Sequence, residues 1–246
     1  MSEKIGKYAF AVEPFSEDFS GRLSWKFLGN HLLRCASLHA HEHGFGYEAM
    51  MQSRHVWVLS RLVVDLEDMP RTGDAYVIDT WVAKIYRQFT DRLYRISGDG
   101  GRTFGYAIST WALIDIDNRQ AADFSSLPCG DFSQMVTETG VPVKGAGRVR
   151  VKSTEAVGRV TASYSDLDIN GHVNSIRYIE MILDLFSRDL CENRLTVKRI
   201  EMAYCSESYC GETLEFYHDA GADGVHYVEV RKANGEVVVK AAVVLK

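Results

Sequence analysis

Residues 166–174 have the sequence DLDINGHVN, in which Asp168, Asn170 and His172 alternate directly before an amphipathic run. From Val173 onward, apolar residues recur at intervals of three and four, which predicts a helix with one buried side. We expect Asp168 or Asn170 to cap this helix. The free N–H groups of its first turn and the helix dipole would then stabilise a developing oxyanion.

A capped turn alone would also explain this stretch, because Asx residues followed by glycine before a helix commonly serve only as caps. One cap, however, needs a single polar side chain. This stretch supplies a carboxylate, an amide and an imidazole at alternate positions, and that density favours a functional site.

Several motifs along the chain carry a family resemblance. The second half contains the run Asp168-x-Asn170-x-His172-Val173-Asn174, then Tyr178-Ile179 and Ile182-Leu183, and farther on Tyr204-Cys205-Ser206-Glu207-Ser208. The first half contains Trp57-x-Leu59-x-Arg61, Thr80-Trp81, Asp99-Gly100 and Ser109-x-Trp111. In this order the motifs resemble those of the acyl-acyl carrier protein thioesterases, which end fatty-acid synthesis. The chain resembles a bacterial member of this plant-type family, with Ser208 where the plant enzymes carry a cysteine.

The resemblance implies an α+β chain with a tandem (double) hotdog fold, in which each half packs a long helix on a curved antiparallel sheet. It also implies hydrolysis of fatty acyl-acyl carrier protein thioesters with release of free fatty acid. The partner would be acyl carrier protein, no cofactor is implied, and a homodimer is compatible with it. The implied catalytic residues are Asp168, Asn170, His172 and Glu207.

Composition limits the other classes of function. The chain has 246 residues, 46% of them hydrophobic, which is ample for a packed core. No apolar run approaches the roughly 20 residues of a membrane helix, and no signal peptide is recognisable, so we expect a cytoplasmic protein without a membrane span. The net charge of −5 argues against broad nucleic-acid binding, which depends on neutralising phosphates.

Positive charge must nevertheless be concentrated locally if the partner is the acidic acyl carrier protein. Scattered solvated charges are an equally good interpretation of any one candidate. The candidate docking residues are Arg87, Arg92, Arg95, Lys144, Arg148, Arg150 and Lys152.

Cysteine and histidine spacing predicts no metal site. The cysteines are odd in number and scattered, which favours reduced thiols over a disulfide framework. Four histidines lie on or near one predicted helix, but no carboxylate accompanies them as in a His-Glu-x-x-His motif, so a polar helix end is the simpler interpretation. The cysteines are Cys35, Cys129, Cys191, Cys205 and Cys210, and the histidines are His31, His39, His41 and His43.

The hydrophobic pattern predicts two copies of a unit. Arg61 and Gly73 in the first half pair with Arg199 and Gly211 in the second at one common sequence offset, which indicates an internal repeat. A single irregular α+β domain is the alternative. We place an N-terminal hotdog domain with the acyl pocket at residues 1–125, a linker at 126–148, and a C-terminal hotdog domain with the catalytic residues at 149–246. Helices are predicted over 23–41 and after residue 168, and strands over 5–13, 56–66, 75–82, 89–97, 106–116, 149–161, 195–204, 213–218, 225–231 and 237–245.

Thioester hydrolysis needs an activated water or a nucleophile, together with a polarised carbonyl. We assign Glu207 with His172 to water activation and Asn170 to orienting substrate or water. Asp168 either orients Asn170 and the turn or attacks the carbonyl itself, and the sequence leaves both roles open. A nucleophilic Ser208 is the less favoured alternative, because no Gly-x-Ser-x-Gly pattern surrounds it.

Two other functions compete with this one. The same scaffold could serve an acyl-CoA thioesterase, or a non-catalytic module that binds acyl ligands, although the polar cluster disfavours the module.

We further expect a single catalytic site. The first half has no evident counterpart of the alternating polar residues at its helix start, and Met69 occupies the spacing equivalent of Glu207.

Overall fold

The computed structural model of the chain describes residues 4–124, 127, 131–192 and 194–246. These residues form two compact units. The first comprises the residues up to Ser60 and from Leu66 to Lys144, and the second comprises Arg61–Asp65 and Gly145–Lys246. Part of the linker expected at 126–148, including Cys129, lies outside the described residues.

The first unit is an antiparallel sheet with a long helix packed on it. Its strand order is β1-β3-β4-β5-β2, and β1–β3, β3–β4 and β4–β5 pair antiparallel. The elements are β1 (Gly6–Ala11), α1 (Trp25–Glu42), α2 (Tyr47–Gln52), β2 (His55–Leu66), β3 (Ala75–Tyr86), β4 (Phe89–Gly98) and β5 (Thr103–Asp115).

Helix α1 begins where the sequence provides a cap and follows its apolar stripe. The Ser24 hydroxyl accepts the N–H of Phe27, which satisfies one of the free donors of the first turn. The stripe predicted from spacing is largely the buried face, which includes Leu28, Leu32 and Cys35, and it packs against β3 and β1. The predicted helix and the observed one therefore agree to within two residues at each end.

The second unit repeats the same arrangement. Its strand order is β6-β8-β9-β10-β7, so each strand has a counterpart in the first unit, and residues 61–65 of β2 pair antiparallel with β7. Each unit is a hotdog, and the chain is the tandem hotdog that the sequence predicts. The elements are β6 (Gly158–Thr161), α3 (Ser175–Asp184), α4 (Ser187–Cys191), β7 (Val197–Tyr204), β8 (Thr213–Ala220), β9 (Val225–Lys232) and β10 (Val237–Leu245).

Two predicted elements differ from the structure, and one observed helix was not predicted. The strand predicted over 149–161 is a strand only at β6, because the N–H groups of Lys152 and Ser153 are bound by the Asp219 carboxylate instead of a neighbouring strand. The long second helix is divided into α3 and α4. Helix α2 was not predicted; it follows Gly46, where an added Cβ would lie 2.7 Å from the His41 Cα and only glycine fits.

Candidate active site

The stretch 166–174 forms a tight turn that leads into α3, and Asp168 holds it together. The Asp168 carboxylate accepts the N–H groups of Asn170 at 2.8 Å and His172 at 3.2 Å. The Asp168 N–H donates to the His172 carbonyl at 2.7 Å. Gly171 closes the turn at φ 78°, a left-handed conformation that side chains disfavour.

The predicted cap of α3 was wrong. Asn174 caps the helix, because its side-chain oxygen accepts the N–H of Ile176 at 2.8 Å, while Asp168 caps its own turn and the Asn170 side chain is exposed. In residues 170–174, which precede the helix, every N–H donates to an acceptor within the chain, so this turn offers no free backbone donor to an oxyanion. Within residues 170–174, the hydrogen-bond donors left for a substrate are therefore on side chains.

His172 and Glu207 lie side by side. Nε2 of His172 is 3.6 Å from Oε2 of Glu207, and both side chains are partly exposed. Glu207 lies in the loop after β7, three residues beyond the end of that strand. Backbone pairing brings the loop to the turn: His172 bridges antiparallel to Tyr209, and the Val173 N–H donates to the Ser208 carbonyl at 2.8 Å.

Tyr209 is a site residue that sequence reasoning missed. Its hydroxyl donates to Oε2 of Glu207 at 3.0 Å, and its ring meets the His172 ring edge-on with centroids 5.1 Å apart. It therefore contacts both members of the pair. The available signal was its position two residues after Glu207, which places both side chains on one side of an extended segment.

An ion pair between the buried Asp166 and the partly exposed Arg177 anchors the turn. The Asp166 carboxylate accepts from the Ser163 N–H and hydroxyl and from Nε of Arg177 at 2.7 Å. Burial alone would raise the pKa of Asp166, but these hydrogen bonds outweigh it and lower the pKa. Because the first turn of α3 carries Arg177, the ion pair fixes the turn of residues 166–174 to the helix.

Two buried hydroxyls lie behind the same loop. Ser208 is fully buried, and neither its hydroxyl nor that of Tyr178 has a hydrogen-bond partner of good geometry. Burial raises the pKa of Tyr178 to about 12, although the nearby Ser208 hydroxyl acts in the opposite direction. A buried serine hydroxyl without a base is poorly suited to attack a thioester.

The first unit contains the same turn with different side chains. Asp18 accepts the Ser20 N–H at 2.8 Å and its own N–H donates to the Arg22 carbonyl, as Asp168 does with Asn170 and His172. Arg22 bridges to Arg71 as His172 does to Tyr209. The prediction that the first half has no counterpart was therefore wrong for Asp168 and for the turn itself. Arg22 stands in place of His172, and Met69 stands in place of Glu207.

In the described ranges, no three His, Cys, Asp or Glu side chains converge as a metal site. Within those ranges, no helix has both the length and the apolar character needed to cross a bilayer. Cys35, Cys191, Cys205 and Cys210 are free thiols.

Comparison with known proteins identifies the family. Residues 4–126 match the model of the acyl-ACP thioesterase N-terminal domain, and residues 151–244 match that of the C-terminal domain. The chain belongs to the acyl-ACP thioesterase family.

Individual relatives agree with this assignment. The chain is similar over 99% of its length to an acyl-ACP thioesterase from Bacteroides thetaiotaomicron, with 43% identity, 98% of that chain covered and a TM-score of 0.93. A 12:0-ACP thioesterase from Umbellularia californica shares the fold at 18% identity and a TM-score of 0.87, covering 100% of this chain and 98% of that one.

Plant enzymes are more distant in sequence. A chloroplastic acyl-[acyl-carrier-protein] hydrolase from Cuphea viscosissima is 25% identical over 90% of this chain and 52% of its own length. A palmitoyl-acyl carrier protein thioesterase from Gossypium hirsutum is 25% identical over 90% of this chain and 55% of its own. The chain thus spans about half the length of these plant relatives.

Proposed function

We propose that this chain hydrolyses fatty acyl-acyl carrier protein thioesters and releases free fatty acid. The observation that carries the proposal is the pairing of His172 with Glu207 at 3.6 Å beside a rigid turn, in a chain of the acyl-ACP thioesterase family. Catalytic contacts are commonly long in a structure without substrate and tighten when it binds, so this spacing suits a pair that shares one water.

In the proposed reaction, a water held between His172 and Glu207 attacks the thioester carbonyl carbon. Its proton passes to this pair, the carbonyl becomes an oxyanion, and the C–S bond breaks as the carbonyl re-forms. The thiolate leaves and takes up the proton. A thiolate is a good leaving group, so the site needs no strong acid beside the sulfur.

The other proposed roles follow from the contacts. Asn170 is exposed on the turn, so its amide can orient water or the thioester. Oδ1 of Asp168 already accepts two backbone N–H groups, which supports a role in shaping the turn over a role as nucleophile. Tyr209 orients the Glu207 carboxylate through its hydroxyl.

We propose that the acyl chain lies in the cavity of the first unit, which has a volume of about 240 Å³ and a mainly apolar lining. The N-terminal domain then binds the chain and the C-terminal domain supplies the chemistry. A cytoplasmic location and a homodimer are further proposals, and the four free thiols in the described residues support the first.

The test compares one acyl chain on two carriers. Purified protein should release dodecanoic acid from dodecanoyl-acyl carrier protein with a higher kcat/KM than from dodecanoyl-CoA. The Glu207→Ala variant should lose about a hundredfold or more, and Glu155→Gln, which changes an exposed carboxylate of the same unit, should retain full activity. Equal or faster turnover of the CoA substrate would make the protein an acyl-CoA thioesterase, and no turnover of either would refute hydrolysis.

A further inference from the structure

The cavity of the first unit has one cation in its wall. Arg92 on β4 lines it together with apolar side chains such as Leu33, Met50 and Trp57. The sequence made Arg92 a candidate for docking an acidic carrier. Because Arg92 is only 4% exposed, it cannot belong to a surface docking patch. A buried guanidinium in a mainly apolar cavity is unfavourable unless nearby groups compensate its charge.

The first partner of Arg92 is neutral. Nη1 of Arg92 lies 3.1 Å from Nδ1 of His39, while Nε2 of His39 lies 3.1 Å from the Lys4 carbonyl oxygen. A carbonyl only accepts, so Nε2 carries the ring proton and Nδ1 is the acceptor. Burial and the charge of Arg92 lower the pKa of His39 to about 3, and the ring therefore adds no charge of its own.

The second partner is neutral as well. The Thr80 hydroxyl donates to the Leu93 carbonyl at 3.1 Å, so its oxygen is oriented to accept from Nη1 of Arg92 at 3.2 Å. No carboxylate forms an ion pair with Arg92 in the part of the chain that the structure describes. Both N–H groups of Nη1 are thus used by neutral acceptors, and Nε and Nη2 donate to no described residue.

A buried cation without a counter-ion is costly, and the cost falls when an acceptor with negative charge reaches it. We propose that Arg92 is a specificity residue that receives an oxygen, most favourably a carboxylate, on the part of the acyl chain away from the thioester. The favoured substrates would be oxygenated acyl chains. This inference rests on the proposed function, because it takes the cavity to hold the acyl chain.

The experiment compares three substrates on the same carrier: dodecanoyl, ω-hydroxydodecanoyl and ω-carboxydodecanoyl-acyl carrier protein. Each is assayed for kcat/KM with the unaltered protein and with Arg92→Met, which keeps the approximate length of the side chain and removes its donors. The control is Arg34→Met, because Arg34 is exposed on α1 of the same unit and its loss changes the net charge equally. Thermal unfolding of each variant establishes that it is folded.

In the unaltered protein we expect the ω-carboxy chain to be hydrolysed within about tenfold of the plain chain or faster. Arg92→Met should lower the ratio of oxygenated to plain turnover at least about tenfold, the size of a hydrogen bond to a charged group, and Arg34→Met should leave it unchanged. A carboxylate entering an apolar cavity without a cation would be rejected by more than about a hundredfold.

Two results would overturn the inference: rejection of both oxygenated chains to that extent by the unaltered protein, or an unchanged ratio in a folded Arg92→Met variant. The first result is measured on the unaltered protein, so it tests the inference even if Arg92→Met does not fold. If the plain chain is not hydrolysed either, the proposed function fails instead. Calorimetric binding of dodecanedioic acid then tests Arg92 alone, with an expected loss of affinity of at least about tenfold in Arg92→Met and none in Arg34→Met.

Discussion

Nε2 of His172 faces Oε2 of Glu207 at 3.6 Å, although the two residues belong to separate segments of the second unit. The contact depends on backbone pairing of the turn that carries His172 with the loop after β7. The pair is therefore rigidly supported, and its two members are expected to act on one water molecule.

The first prediction concerns this shared action. His172→Ala and Glu207→Ala should each lower kcat by about a hundredfold or more, and the double variant should lose about as much as either single one, because groups acting as a unit are non-additive. Steady-state kinetics on acyl-acyl carrier protein measures all three. A double loss equal to the product of the single losses, in folded proteins, would mean independent roles.

The second prediction concerns Tyr209. Removing its hydroxyl in Tyr209→Phe takes away one hydrogen bond to a partly exposed Glu207 carboxylate, so kcat should fall by about tenfold or less while KM changes little. Tyr164→Phe is the matched control, since Tyr164 is 90% exposed in the same unit. Equal rates for Tyr209→Phe and the unaltered protein would remove Tyr209 from the site.

The third prediction separates the two roles of Asp168. Asp168→Asn keeps an oxygen for the N–H groups of Asn170 and His172 but removes the charge, whereas Asp168→Ala removes both. If Asp168 shapes the turn, Asp168→Asn should keep kcat within about tenfold and Asp168→Ala should lose more. Loss of about a hundredfold or more in both variants would instead indicate a nucleophile. Asp18→Asn, in the equivalent turn of the first unit, is the control.

The equivalent turns at Asp18 and Asp168 show how much of the site could be predicted from the sequence. Asp18, Ser20 and Gly21 repeat the pattern of Asp168, Asn170 and Gly171, and the repeat is readable without a structure. It was missed because the offset between the halves differs before and after the helices. Both halves place two helices there, but α1 has 18 residues and α3 has 10.

Long elements were predictable for a physical reason. Helix α1 and the strands bury one face each, so their apolar residues recur with the period of the backbone. The helix cap was not predictable, because Asp166, Asp168, Asn170 and Asn174 are all good caps by residue type. The folded chain decides among them: Asp166 is bound by Arg177, Asp168 by its own turn, and Asn170 is exposed on that turn, which leaves Asn174 for α3.

The fourth prediction is that no thiol takes part in the chemical step. Burial raises the pKa of Cys35 to about 12 and also raises that of Cys205, which disfavours the thiolate in both. Cys205→Ala and Cys210→Ala should keep kcat within a few-fold, and the same is predicted for Cys35, Cys191 and Cys129. Loss of more than about a hundredfold in a folded variant, measured as fatty acid release, would restore a thiol mechanism.

The last prediction concerns stability at low pH and depends on His39. In the folded protein its pKa is about 3, because burial and the charge of Arg92 disfavour the protonated ring, whereas in the unfolded chain it returns to about 6.5. Between these values the unfolded state binds one proton more than the folded state. The neutral ring therefore costs no stability above about pH 6.5, and stability falls as the pH drops below that value.

The slope from this one residue is at most about 1.4 kcal/mol per pH unit. In His39→Gln, the new amide could still accept from Arg92 and donate to the Lys4 carbonyl, so the variant should retain the fold without the titration. Urea unfolding between about pH 7 and pH 5 should show a steeper loss of free energy in the unaltered protein than in the variant. Parallel curves would mean that the His39 ring is protonated in the folded state, with Nδ1 turned away from Arg92.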